Sequence, residues 1–122
     1  VLEGWKFSKQ ISAHDWFQTL TTADGVSPKN TKKFDGVDMW AALKDDADPG
    51  RGDTIFGVAG NYAIFRDGWK FVEYTPRGGT KSTTHLFRIE DDPNEEHDFI
   101  NEKPDLAEEL LASIRAIPRP LP

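Results

Sequence analysis

The stretch Tyr62-Ala63-Ile64-Phe65-Arg66-Asp67-Gly68-Trp69-Lys70-Phe71-Val72-Glu73-Tyr74 decides the fold. Two runs rich in aromatic and β-branched residues flank Asp67-Gly68. A two-residue Asp-Gly link predicts a type I′ turn, which needs positive φ at both central positions, so the stretch reads as a β-hairpin. Upstream, Ile55-Phe56-Gly57-Val58 is strand-like, with Gly60-Asn61 as a weaker turn. Downstream, Arg77-Gly78-Gly79 opens a flexible crossing to a last strand over Leu86–Ile89. Adjacent antiparallel strands followed by an amphipathic helix make an α+β layer: a four-stranded antiparallel sheet packed by a C-terminal helix.

That helix is predicted over Asn101–Ala116. Pro104 suits its first turn, Asp105, Glu108 and Glu109 lie where the helix dipole favours anions, and Arg115 lies where it favours cations. Leu106, Leu110, Leu111 and Ile114 share one face. Between strand and helix, Asp92-Pro93 ends the strand because proline offers no N–H to a ladder. Asp92 and Glu95 then form a capping pair around a single helical turn.

Ahead of the sheet the pattern is helical. Ser12 and Asp15 resemble a capping box, Ala13, Trp16, Phe17 and Leu20 recur at one-face spacing, and Gly25 supplies a stop. A loop fills residues 24–36. Asp38 then caps a second short helix burying Met39, Trp40 and Leu43, and the Pro/Gly-rich run from Asp45 to Asp53 breaks it.

Composition narrows the function. The 122 residues suit one core. A net charge of -6 argues against a phosphate backbone as partner, and the densest basic group, Lys29, Lys32 and Lys33, reads as a solvated loop. No apolar run approaches the roughly 18 residues of a membrane span. With no cysteine there is neither disulfide nor thiolate chemistry. The chain begins Val1-Leu2-Glu3, which reads as a start cut from something longer, so a missing signal peptide says nothing about export.

Few constellations suggest chemistry. His14-Asp15 and His97-Asp98 pair an imidazole with a carboxylate, but adjacent residues do not face each other on a helix, so each makes a poor dyad. His85 stands before the Leu-Phe strand as a candidate binding residue. The acidic run Glu90-Asp91-Asp92 with Asn94, Glu95 and Glu96 lacks the spacing and central glycine of an EF-hand. Trp69 reads as packing rather than as a stacking platform. Arg51-Gly52-Asp53 spells an adhesion-like tripeptide, which three residues match often by chance. No glycine-rich loop has the phosphate-cradling pattern.

Four segments, in order, resemble a known family. These are His14-Asp15-Trp16-Phe17-Gln18-Thr19-Leu20; Phe34-Asp35-Gly36-Val37-Asp38; Tyr62 to Val72; and the run from Leu86 to Leu110 with its Leu-Phe strand, Asp-Asp-Pro-x-Glu, and Pro-Asp-Leu opening the last helix. Together they are similar to the C-terminal region of arylsulfatase-type sulfatases of the alkaline-phosphatase-like superfamily. Gln18 stands where the family usually has Pro, and Phe65 where an Arg commonly precedes the hairpin turn.

The resemblance implies that residues 1–45 are the last elements of a large sulfatase domain and residues 46–122 a C-terminal subdomain, with its sheet and helix over residues 54–117. That subdomain would buttress the catalytic domain and lend loops Gly57–Asn61 and Arg77–His85 to the substrate rim. Arg77, Lys81 and His85 would then contact an anionic sulfated small molecule or glycan. The family chemistry uses a divalent cation, Ca or Mg, and a formylglycine made within Cys/Ser-x-Pro/Ala-x-Arg. The formylglycine does not belong to this segment, because none of Ser8, Ser12, Ser27, Ser82 and Ser113 has that context, and the resemblance implies that the metal-binding Asp pair and Asp-Asn segment belong to the earlier part of such enzymes. The chain alone would therefore be inert, with its partner the N-terminal catalytic domain of the same polypeptide. The setting implied is periplasmic, secreted or lysosomal.

A rival is a free-standing α+β binding or scaffold module. It predicts no large exposed apolar surface, whereas the fragment reading leaves Trp5, Phe7, Trp16, Phe17 and Trp40 on a face that lost its partner and is prone to self-association. A small hydrolase using His85 is a third possibility.

Overall fold

The computed structural model describes Gly4, residues 6–26 and residues 34–117. Trp5, Ser27, Lys29, Lys32 and Lys33 lie outside the described residues. The chain forms two compact units, residues 1–52 and 53–122.

In the first unit, α1 spans Asp15–Ala23 and α2 spans Trp40–Asp45. Its buried residues are unusual for a helical pair. Met39 and Ala42 are buried, but so are the polar Ser12, Asp15 and Thr19. Thr19 Oγ1 donates to the Asp15 carbonyl (2.7 Å) and accepts the Met39 N–H (3.0 Å), tying α1 to the entry of α2. The N-cap of α2 is Met39 rather than Asp38, which stands one residue earlier; its carboxylate accepts the Trp40 N–H (2.9 Å), and its other oxygen accepts from Thr22 (2.7 Å). The chain leaves α2 at Asp46, which takes a left-handed conformation (φ 55°). Lys9 secures that exit by donating to the Asp46 and Ala47 carbonyls and to the Asp46 carboxylate.

The capping box forms only in part. The Asp15 carboxylate accepts the Ser12 N–H (2.5 Å), but the Ser12 hydroxyl turns to His14 Nδ1 (3.2 Å) because the helix starts at Asp15 itself. The apolar residues of α1 point outward: Trp16, Phe17 and Leu20 are 44%, 57% and 59% exposed, and Phe7 and Trp40 are half-buried.

The second unit holds β1 (Thr54–Val58), β2 (Asn61–Arg66), β3 (Trp69–Tyr74), β4 (Thr83–Arg88) and α3 (Pro104–Arg115). The strands form an antiparallel sheet in the order β1-β2-β3-β4. Asp67 and Gly68 have φ of 48° and 76°, the positive pair that a type I′ turn requires. A side chain at Gly68 would also displace the end of the Glu90 side chain. The β1–β2 turn falls at Ala59-Gly60 (φ 49° and 82°), one residue earlier than Gly60-Asn61, because Asn61 is drawn into β2 and its side chain accepts the Thr75 N–H (2.5 Å). The last strand likewise begins earlier than expected, at Thr83, since Thr83 and Thr84 pair with Tyr74 and Glu73.

Ile55, Ile64, Phe71 and Leu86 align across the four strands. With alternate residues on opposite faces, this row defines the side covered by α3. Ile64, Phe71 and Leu86 pack there with Ala107, Leu110 and Ile114. The helix starts later than Asn101, because Glu102 and Lys103 N–H groups bond to the Phe99 carbonyl in a preceding turn. The expected helical turn after Asp92 is replaced by a non-helical turn in which Glu95 takes a positive φ of 59°.

Polar groups lock α3 onto the sheet. Arg66 binds Asp53 with both Nε (2.6 Å) and Nη2 (2.5 Å), reaches Ser113 (2.8 Å) and pairs with Glu109. The Asp53 carboxylate, followed by Glu109, pushes the guanidinium pKa further up. Arg115 pairs with the buried Glu73. The Arg51-Gly52-Asp53 tripeptide is thus divided: Asp53 is engaged by Arg66 in this unit and Arg51 by Asp15 in the first.

Candidate functional site

Antiparallel pairing places the Ala59-Gly60 turn and the β3–β4 loop, residues 75–82, at the same end of the sheet. These are the two loops that sequence reasoning assigned to a rim. Arg77 lies in a turn closed by the Gly79 N–H to the Pro76 carbonyl (2.8 Å), and Lys81 stands just before β4. Both are exposed, and among the described residues neither makes an ion pair. His85 is two residues inside β4 on the sheet face away from α3.

That face has two characters. Phe56, Val58, Ala63 and Phe65 make its β1–β2 side apolar, continued by Val72 on β3, with Phe56 and Phe65 in edge contact at 5.8 Å. Toward β4 it becomes polar. Lys70 pairs with Glu95 (2.5 Å), and the His85 ring stacks near Phe87 at 6.2 Å with planes 10° apart. Tyr74 and Thr83 face each other in register at the loop end, both exposed.

His85 is held by a partner that adjacency arguments missed. Its Nδ1 lies 2.8 Å from Asp98 Oδ2, and its Nε2 lies 3.3 Å from Thr83 Oγ1. The other Asp98 oxygen accepts the N–H groups of Leu86 (2.9 Å) and Ile100 (3.0 Å). Partial burial raises the Asp98 pKa, but the Leu86 N–H, His85 and the Ile100 N–H together hold it below the ordinary aspartate value. A carboxylate thus stays charged where it faces the imidazole.

The neighbouring histidine behaves differently. His97 Nε2 meets Glu102 (2.6 Å), and its ring packs edge-on against Phe99. Asp92 accepts the His97 N–H (2.9 Å), and backbone donors from His97 and Glu96 lower its pKa. Glu90 and Asp91 serve Arg88. Among the described residues no group of three or more His, Asp or Glu side chains is arranged to hold a metal ion. With no cysteine and no serine in the required context, the residues present do not fit a formylglycine centre.

Asp15, like Asp98, is tied to a distant partner. It is fully buried and accepts the Val37 N–H (2.9 Å), the Ser12 N–H and the Arg51 guanidinium. Burial raises its pKa, while Val37, Ser12 and Arg51 overcome that and lower it. His14 Nδ1 meets the Ser12 hydroxyl instead of this carboxylate, whose oxygens are held by Val37, Ser12 and Arg51, so His14-Asp15 is not a dyad. Trp69 is half-buried, with the Phe99 ring edge-on at 5.4 Å and Arg88 and Lys103 over its ring at 5.2 and 5.5 Å. No helix among the described residues is long and apolar enough to cross a membrane.

No protein-family model matches the chain, and no curated protein matches it. Solved structures do share its fold. The crystal structure of Ps i-CgsB matches with a TM-score of 0.71 and 24% identity over 89% of this chain, and so does its complex with k-i-k-neocarrahexaose. A Bacteroides thetaiotaomicron chain labelled BT33336S-sulf, described under the metabolism of multiple glycosaminoglycans, matches with a TM-score of 0.60 and 19% identity over 84% of this chain. In each case the match covers 24% of the other chain, so this chain spans about a quarter of the length of these neighbours.

Proposed function

We propose that this chain is the C-terminal segment of an arylsulfatase-type sulfatase, a sulfuric ester hydrolase, and that it supports the catalytic domain and lines its substrate rim without catalysing by itself. The observation that carries this reading is the fold match: nearly the whole chain superposes on a quarter of sulfatase-related chains. The four ordered sequence segments support it independently. Its partner is the N-terminal catalytic domain of the same polypeptide, which supplies the formylglycine and the divalent cation. The compartment is periplasmic, extracellular or lysosomal.

The outward face of α1 also supports the fragment reading over a free-standing module. Trp16, Phe17 and Leu20 together expose an apolar surface of the kind that marks an interface in a soluble protein. At the rim, Arg77 and Lys81, which make no ion pair among the described residues, offer cations to a sulfate. Long cationic side chains form charge-assisted hydrogen bonds to its acceptor oxygens. Tyr74 adds an exposed ring at the same end of the sheet, suited to the apolar face of a sugar.

The test is kinetic, on the full-length polypeptide carrying this segment. Arg77→Ala and Lys81→Ala each raise KM for a sulfated hexasaccharide about fivefold, the worth of roughly 1 kcal/mol for an exposed charge contact, and leave turnover of a small aryl sulfate unchanged. Unchanged KM for the oligosaccharide in both variants contradicts the rim assignment. Absence of any sulfate release from the full-length polypeptide contradicts the sulfatase reading.

A further inference from the structure

We infer that Asp98 is a positioning residue for His85: it fixes the imidazole as the Nδ1–H tautomer, leaving Nε2 as an acceptor that reads a sugar hydroxyl beside the sulfate rather than the sulfate itself. This rests on the rim reading above and divides its labour. Asp98 cannot turn away easily, because its Oδ1 already accepts two backbone N–H groups, from Leu86 and Ile100. Its Oδ2 therefore stays 2.8 Å from His85 Nδ1. An ionised carboxylate only accepts, so Nδ1 must carry the proton, and in a neutral ring Nε2 then holds a lone pair. Phe87, stacked nearly parallel to the imidazole, restrains the ring plane.

Nε2 points toward the loop end of the sheet, where Thr83 lies two residues nearer the β3–β4 loop on the same face. Its contact to Thr83 Oγ1 is long at 3.3 Å, and the Thr83 hydroxyl has a competing acceptor in the Tyr74 carbonyl at 3.4 Å. Both exceed the usual range of hydroxyl hydrogen bonds, so an incoming hydroxyl gains a better bond by displacing Thr83 than Thr83 gives up. Sulfate oxygens carry no proton and find no partner at a neutral Nε2. They fall instead to Arg77 and Lys81, which have donors only. A sulfated saccharide with a free hydroxyl near its ester is the ligand that satisfies both groups.

Asp98→Asn is the decisive change. Asn Oδ1 still accepts from Leu86 and Ile100, so the fold is kept, but an NH2 now faces the ring and His85 switches to the Nε2–H tautomer. Nitrogen-15 NMR of the histidine-labelled chain, with His85 assigned by its loss in His85→Gln, reads this directly. The expected result is Nδ1–H in the parent and Nε2–H in the variant, with melting temperatures within a few degrees. Nε2–H in the parent, or no switch in the variant, overturns the inference.

A kinetic arm on the full-length polypeptide at pH 8 tests the role. Asp98→Asn raises KM for the sulfated hexasaccharide about tenfold, changes kcat less than twofold, and spares a small aryl sulfate that has no neighbouring hydroxyl. An equal effect on both substrates marks a merely structural role and overturns the inference. If Arg77→Ala and Lys81→Ala raise KM while Asp98→Asn does not, the inference falls and the rim reading stands. If all three are silent, the rim reading itself falls, and the tautomer measurement still decides what Asp98 does to His85.

Discussion

Replacing Arg51 by Met should loosen the first unit selectively. Asp15 is fully buried and the Arg51 side chain is 13% exposed, so the pair sits largely out of water. Burial is the strongest influence on the Asp15 carboxyl and acts to neutralise it; Val37, Ser12 and Arg51 keep it charged. Removing one partner of such a pair strands a buried charge and costs about 3–5 kcal/mol. The lower value is the better guide here, because the two backbone N–H groups remain. About 3 kcal/mol corresponds to roughly a hundredfold in an opening equilibrium. Among the described residues of this unit the buried apolar side chains are Met39 and Ala42, so little else compensates.

The assay is amide hydrogen exchange of peptides covering residues 12–24 and 36–46, compared with peptides from β2 and β3. Exchange in the first set should accelerate about a hundredfold, while the sheet is unaffected. The sign with pH follows from the lowered Asp15 pKa. A depressed carboxyl stabilises the fold above its unfolded pKa, about 3.9, and loses that contribution as pH falls through its folded value. The parent's advantage over Arg51→Met is therefore full near neutrality and disappears in acid. Less than threefold acceleration at pH 7, or a difference that grows in acid, refutes the reasoning.

Three other changes probe the fold. Leu110→Ala removes a fully buried side chain from the α3–sheet core and should cost about 2–5 kcal/mol, measured by urea denaturation followed at Trp69. Gly36→Ala would place a Cβ 2.1 Å from the His14 carbonyl oxygen, so residues before α1 must shift; melting or insolubility of the first unit is expected, and parent-like exchange contradicts it. Phe17→Asp should reduce self-association of the isolated chain in sedimentation experiments, because it breaks the exposed apolar face of α1.

The parts of the fold legible in the sequence are those fixed locally. Asp67-Gly68 specified its hairpin because few residues tolerate positive φ at both turn positions, and Leu110 and Ile114 declared the covered face of α3 by their spacing. The α1 pattern was less informative. Periodicity groups Trp16, Phe17 and Leu20 on one face but does not say what covers it, and the residues buried within the unit are the polar Asp15 and Thr19. The site was obscured for a related reason. His14-Asp15 and His97-Asp98 drew attention as neighbours, yet Asp15 meets Arg51 from 36 residues away and Asp98 meets His85 from 13 away. Each pair forms within one unit only when folding brings together residues far apart in the chain, and no spacing rule in one sequence announces them.

The most direct measurement is to read the coding sequence ahead of Val1 and determine the mass of the corresponding peptide in the purified full-length product. The account predicts a Cys/Ser-x-Pro/Ala-x-Arg motif upstream, with its first residue carrying the mass of formylglycine. An upstream sequence without that motif, or a reading frame that opens at Val1, contradicts it.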